Sequence, residues 1–327
     1  MYLVFDGDPG LGRPGADADD GLALALAARA ADPELLGVTM VAGNVAVGEA
    51  TASALETLAA LGRPEIPVCV GADRPLAADP TELRAAIDRR RHGELALQFW
   101  PGAPDACSVH PPDPRPAPAF LADVIASHPG AVTVVCTGPC TNLAWAFQQE
   151  PRLAQMLGQL VVQAGAVRVP GTLTPVTELN AAYDPEALQA VLDAGCPVTL
   201  VGLDVTARCF LLPEDVARLR QAPWAGAGWV ADRVDPWLRF TRARRNLPGC
   251  WLHAALAVSV ALEPDLVRTQ AMHVQVEPST ARFRGQTIGW DPDRAYLFPH
   301  GPPNAEVCVE VDVDRFRARL FQPWERS

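Results

Sequence analysis

The 327-residue chain is 49% hydrophobic and 20% charged, with a formal net charge of −11. That is the composition of a soluble globular protein. No apolar stretch approaches the ~20 residues that span a bilayer, and the acidic excess argues against the basic stripe of a nucleic-acid binder, so neither membrane nor nucleic acid is expected as a partner. At roughly 150 residues per domain, one large domain over 1–327 is favoured over two. The start "MYLVFDGD" has no basic leader or apolar h-region and reads as a mature cytoplasmic N-terminus. Eight cysteines are scattered without a C-x-x-C pair, several inside apolar runs such as "IPVCVG", which reads as reduced, mostly buried thiols.

Along the chain, short β-branched runs alternate with Ala/Leu-rich segments, the signature of crossover units on a mainly parallel sheet. Strands are expected at 2–7, 35–42, 66–70, 131–136, 159–164 and 197–203, with helices at 19–31, 48–62, 117–128, 139–149 and 184–195 between them. The fold class is therefore α/β, an open, Rossmann-like sheet flanked by helices. No G-x-G-x-x-G follows the first strand, and its acidic loop would repel a pyrophosphate. After residue 204 helices are expected at 213–221, 224–243 and 253–262, then strands at 270–276, 283–288 and 306–312, and a last helix at 313–321. The Pro-rich stretches 101–118 and 298–303 read as surface loops, and the Arg89–Arg91 and Arg242–Arg245 clusters as solvated helix faces, the second near a possible substrate loop.

The densest chemistry lies in "VFDGDPGLGRPGADADDGLALALAA", where Asp6, Asp8, Asp17, Asp19 and Asp20 follow the first strand. In an open parallel sheet, ligands bind outside the carboxyl ends of the strands. Helix capping accounts for one such Asp but not for four, because crowded like charges repel unless a cation lies between them. Oxygen-only ligands suit Ca²⁺ or Mg²⁺, and the absence of nearby His or Cys argues against Zn²⁺. Metal-assisted hydrolysis is the leading chemistry, since a bound cation acidifies water and a spare carboxylate takes its proton.

These residues, with the blocks "VTMVAGNVAVGEATASALETLAALGRPEIPVCVGADRPL", "VTVVCTGPCTNLAWAF", "PVTELNAAYDPEALQAVLDAGCPVTLVGLDVT", "LHAALAVSVALEPDL" and "RGQTIGW", resemble the inosine-uridine-preferring nucleoside hydrolases over nearly the whole chain. The resemblance implies that fold and hydrolysis of a purine or pyrimidine ribonucleoside to ribose and free base. It further implies Ca²⁺ as cofactor, a nucleoside as partner and a homodimer or homotetramer. By the same resemblance Asp8 is the general base and a metal ligand, with Asp20 and the carbonyl of Thr137 as further ligands; Asp6, beside Asp8 at the end of the first strand, reads by position as part of the same cradle. Asp19, Asn44, Glu178, Asn180 and the hydroxyl residue Thr172 bind ribose, His253 protonates the departing base, and His92 is a further active-site histidine. Taken alone, His253 reads as a helix-start histidine, while Asn44 and Asn180, turn residues by type, end or follow strand-like runs at the ligand-facing edge, which favours binding. The base would meet a helical region holding Trp237, Phe240, Arg242, Arg245 and Trp251.

Three departures from the family pattern stand out. Eight residues, "LGRPGADA" at 11–18, separate Gly10 from the Asp pair where relatives usually have one, and this insertion either brings Asp17 into the site or bulges into solvent. The Asp expected directly after the leaving-group histidine, a calcium ligand in relatives, is Ala254, and a ribose-binding Asn is Thr172. A second reading is therefore a relative that binds a nucleoside or sugar without efficient turnover.

Overall fold

Strict alternation in the first strand sorts its side chains to two faces, as the two-residue period of a β-strand requires. Leu3 and Phe5 join the core on one side of the sheet, and Val4 the core on the other. The computed structural model describes residues 1–100, 110–278, 282–294, 296–297 and 300–321. Crossover units fill the first two thirds of the chain. β1 (Tyr2–Gly7) leads to α1 (Asp19–Arg29), β2 (Glu34–Met40) to α2 (Val47–Ala60), and β3 (Val68–Cys69) to α3 (Thr81–Arg91), α4 (Glu94–Phe99) and α5 (Ala117–Ser127). β4 (Val132–Cys136) leads to α6 (Thr141–Gln149) and α7 (Leu153–Met156), β5 (Gln159–Val162) to α8 (Leu179–Tyr183) and α9 (Pro185–Leu192), and β6 (Val198–Leu200) to α10 (Leu203–Thr206).

The remainder begins with β7 (Phe210–Leu211), α11 (Pro213–Arg220), α12 (Ala227–Arg245), β8 (Cys250–Trp251) and α13 (His253–Leu262). It ends with β9 (Val267–Val276), β10 (Thr287–Trp290), β11 (Ala305–Val311) and α14 (Val313–Arg319). Nine strands form one open sheet in the order β10-β9-β11-β6-β5-β4-β1-β2-β3. Among the described strands of this sheet β9 alone runs against the common direction, antiparallel to β10 and β11. Within the segment β3-β2-β1-β4-β5-β6 the winding reverses between β1 and β4, and the crevice at such a reversal is where doubly wound sheets bind ligands.

Ala-rich sequence lets the covering helices lie close. In α1 residues 19–28, and in α13 residues 254–260, are buried throughout, which brings the starts of both helices to the carboxyl edge of the sheet. Sequence reading missed α3 and α4, because α3 is Arg-rich and lacks an apolar stripe. Charge holds it instead: the buried Arg91 guanidinium donates to both oxygens of Glu49 at 2.9 and 2.7 Å, and Arg84 pairs with Asp88 at 2.8 Å. Of the Pro-rich stretches, 101–109 and 298–299 lie outside the described residues, while Ala117 and Pro118, at the end of the first, already belong to the helix expected at 117–128. The cysteines among the described residues are buried and free of disulfides. No helix among them is long and apolar enough to cross a membrane.

Candidate active site

Each strand on either side of the β1/β4 reversal delivers one polar group just past its carboxyl end. Asp8 follows β1, Asn44 follows β2, Thr137 follows β4 and Gln163 follows β5. Together with Asp17, Asp19, Asp20, Thr172, Glu178, Asn180 and His253 they line one cleft. Nine of the residues expected from sequence thus meet in one cavity.

Glycine makes room for Asp8. A Cβ at Gly43 would overlap Oδ2, and one at Gly138 would lie 3.1 Å from Oδ1, so the carboxylate sits in a close backbone cradle. Its Oδ2 accepts the Asn44 backbone N–H. Burial, with Glu178 nearby, pushes Asp8 up to about 7 against the pull of that hydrogen bond. Asp20 accepts the Thr137 hydroxyl at 2.6 Å, and burial followed by the charges of Asp8 and Asp19 raises it well above the carboxylate range. Asp19 is anchored on the start of α13, accepting the N–H of Ala254 at 2.5 Å and of Ala255 at 3.2 Å. Two helix N-termini therefore converge on it, an arrangement that favours negative charge.

The ribose-binding candidates are held as firmly. Glu178 Oε2 accepts the N–H groups of Gly165 and Ala181 at 3.0 and 3.1 Å. Asn180 donates to the Thr137 carbonyl at 2.7 Å and to the backbone and side-chain oxygens of Gln163, both at 3.0 Å. Thr172 lines the outer wall through a turn whose N–H bonds the Thr177 carbonyl at 3.0 Å.

The inserted loop does not bulge into solvent. Leu11, Arg13, Ala16 and Ala18 are buried, Arg13 pairs with Glu56 at 3.0 Å, and Arg91 Nε donates to the Pro14 carbonyl at 3.3 Å. Gly15 turns the chain at φ 60°, where a Cβ would lie 2.5 Å from the Arg91 Cα. The Asn44 amide grips the backbone of Asp17, with both bonds at 3.1 Å. Asp17 in turn accepts the Asp19 N–H at 3.0 Å. Asp17 thus enters the cleft beside Asp19, as a brace for the start of α1.

Two of the expected residues are not among those lining the cleft. Asp6 lies inside the paired part of β1, opposite Thr39 and Cys136, and its carboxylate accepts the Thr39 hydroxyl at 2.5 Å and the Asn142 amide at 2.7 Å beneath the cleft. Burial raises it to about 6, but it is not among the residues facing the cavity. His92 caps the end of α3 and is exposed. The face of α3 that meets the cleft carries Ile87 and Arg90, one turn apart, and residue 92 points off that stripe.

His253 opens α13, with Nδ1 2.7 Å from the Thr206 hydroxyl. Burial, then the adjacent Arg245, pushes it down to about 3, so the ring is neutral near pH 7. Trp237 and Phe240 pack in the core, and Arg242 is exposed. Arg245 lines the cleft, with its guanidinium 4.9 Å over the Trp251 ring. Sequence reasoning missed Arg90 and Gln163 as site residues. The signal for Gln163 was a lone polar residue closing the apolar run "LVVQAG".

The donor set suits a hard cation. Asp8, Asp19 and Asp20 are buried in one cavity, each raised first by burial, and a divalent ion would neutralise the crowding. Asp8, Asp20 and the Thr137 carbonyl are the oxygens that could hold such an ion. Ala254 offers only a backbone N–H, already given to Asp19. Among the described residues no three His, Cys, Asp or Glu side chains cluster as a self-sufficient chelate, so water or substrate hydroxyls must complete any such shell.

A family model described as inosine-uridine preferring nucleoside hydrolase matches residues 3–318. A pyrimidine-specific ribonucleoside hydrolase, RihA, of Shewanella woodyi is 34% identical over 324 residues, covering 99% of this chain and 97% of that one. The structure of a purine-preferring ribonucleoside hydrolase from Gardnerella vaginalis superposes with a TM-score of 0.83 at 30% identity, covering 99% and 98% of the two chains. A plant nucleoside hydrolase, PpNRh1, gives the same TM-score at 25% identity, covering 100% and 99%.

Proposed function

The chain belongs to the inosine-uridine preferring nucleoside hydrolase family, and from that premise we propose that it cleaves the N-glycosidic bond of a purine or pyrimidine ribonucleoside to ribose and free base. The observation that carries the proposal is the meeting of Asp8, Asp20 and Thr137 with Asp19, Glu178 and Asn180 at the β1/β4 reversal. Asp8, Asp20 and the Thr137 carbonyl would hold a divalent cation, Ca²⁺ by its preference for many oxygen ligands. Such an ion supplies orientation of the vicinal sugar hydroxyls and acidification of a water.

The protein's own groups then divide the work. Asp8, held at the strand end by the Asn44 backbone N–H, is placed to accept a proton from the attacking water. Asp19, fixed by the amides of α13, and Glu178 and Asn180, fixed at the start of α8, clamp the ribose. Positioning of this kind lowers the entropic part of the barrier to an oxocarbenium-like transition state. His253 contributes as a neutral hydrogen-bonding group: a Thr206 hydroxyl that donates to Nδ1 leaves the ring proton on Nε2.

The test is release of reducing sugar from inosine, uridine, adenosine and cytidine. Cleavage of at least one is expected. Binding of a nucleoside without cleavage of any would favour the second reading, a sugar-binding relative, for which the missing carboxylate at Ala254 is the supporting observation.

A further inference from the structure

The cleft is electrically two-sided. Carboxylates line the floor at the strand ends, while Arg90, in the last turn of α3, and Arg245, the last residue of α12, reach the same cavity beside His253. We propose that Arg245, with Arg90, forms a cationic subsite that stabilises the nucleobase as it departs carrying negative charge, so that this chain activates the leaving group by charge rather than by a proton held on His253. The inference rests on the nucleoside hydrolase reading and adds to it the residues that meet the leaving group.

Four observations support it. First, among the described residues neither guanidinium has an ion pair or a side-chain hydrogen bond, and Arg90 Nε is buried with no acceptor. A partly buried cation without an anion is costly until a negative partner arrives. Second, the carboxylate whose field reaches both, Asp17, is already spent on the Asp19 N–H, and one carboxylate against two guanidinium groups leaves the rim positive. Third, Arg245 and His253 both pack on Trp251, the guanidinium 4.9 Å and the imidazole 5.6 Å from the indole centre. Cation and histidine therefore occupy one corner of the cleft. Fourth, burial first and then the charge of this same Arg245 keep the His253 ring neutral. Arginine near a helix C-terminus also interacts favourably with the helix dipole, but that role is satisfied in solvent and does not require facing a cavity.

The step balances without a co-reactant. The C1′–N bond breaks with its electron pair passing to the base nitrogen. A water oxygen bonds to C1′, and its proton passes to Asp8. The base leaves as an anion beside the guanidinium groups, then takes up a proton from solvent. Guanidinium suits carbonyl oxygens onto which that charge spreads, because its planar donors engage two acceptors at once.

The experiment compares uridine with 4-nitrophenyl β-D-ribofuranoside, whose nitrophenolate leaves without assistance, for the intact protein and for Arg245→Gln and Arg245→Lys, with melting temperature recorded for each. Arg245→Gln is expected to lower kcat on uridine by about 10²-fold, the scale of one lost charge-stabilising donor, and kcat on the nitrophenyl riboside by ~10-fold less than that. Arg245→Lys should recover part of the loss on uridine. Equal losses on both substrates, or a change confined to KM, would overturn the proposal. So would a larger effect on uridine 5′-monophosphate than on uridine, which would assign the pair to a phosphate. If the intact protein cleaves neither riboside, the nucleoside hydrolase reading itself fails, a result distinct from failure of the arginine assignment.

Discussion

The carboxylates on the cavity floor and the guanidinium groups on its rim are built in opposite ways. Asp8, Asp19, Asp20 and Glu178 sit on strand ends and helix starts, each bound to a backbone N–H or a buried hydroxyl. Arg90 and Arg245 extend from the last turns of two helices and touch no carboxylate among the described residues. The floor is thus fixed by the same hydrogen bonds that close the sheet edge, and its charges await a cation. The rim is placed by the packing of α3 and α12, with the inserted loop wedged against both, and its charges await an anion. A nucleoside presents the matching order, a polyol at one end and an electron-accepting base at the other.

The strongest way to break the floor is Asp8→Asn, which keeps the shape and removes the proton acceptor. We expect kcat to fall by about 10³-fold, within the span of general-base contributions, with no loss of melting temperature because one crowded buried charge is gone. A retained kcat would move the base elsewhere. Gly15→Ala attacks the wedge under the rim. With φ at 60° and the Arg91 backbone in the path of a Cβ, a loss of about 2 kcal/mol is expected in chemical denaturation. A neutral result would mean that the loop and α3 can separate at little cost.

Ala254→Asp sharpens the account of the floor. The added carboxylate should tighten Ca²⁺ by ~10-fold in calorimetry and lower the melting temperature of the metal-free protein by adding repulsion near Asp19. Unchanged affinity would show that another group already fills that coordination position. The smallest effect concerns His253 on the rim. Its folded value of about 3 lies below the ordinary 6.5, so between those values the unfolded chain binds a proton that the folded ring refuses. Stability from this residue therefore falls as pH drops below about 6.5. His253→Gln should flatten the acid side of the melting-temperature profile, and an unaltered slope would mean that the ring titrates normally.

Much of the floor was legible in the sequence, because strand ends announce themselves. "LVFDGD" and "VTVVCTG" are apolar alternations broken by a polar residue at the ligand-facing edge, and Asp8 and Thr137 follow directly. Asp6 was misplaced because composition does not say where pairing stops. It remains in register with Thr39 and Cys136, and its carboxylate is used beneath the site. The rim was half legible. Arg245 fell within the helical region expected to meet the base, whereas Arg90 lies in an Arg-rich helix end that reads as a solvated face, and only tertiary packing turns it inward. His92 was named by motif, whereas the α3 residues that line the cleft are Ile87 and Arg90. The insertion's role was equally hidden, since the bonds that seat it come from Asn44, Glu56 and Arg91, all more than 25 positions away.

The central claim, that the buried carboxylates of the floor form a cation-dependent site for nucleoside cleavage, is tested most directly by ribose release from inosine and uridine as Ca²⁺ is returned to chelator-stripped protein. The account predicts background release before addition and full activity at saturation, with Asp20→Asn failing to recover. Full activity in the stripped protein, or none at any calcium concentration, would contradict it.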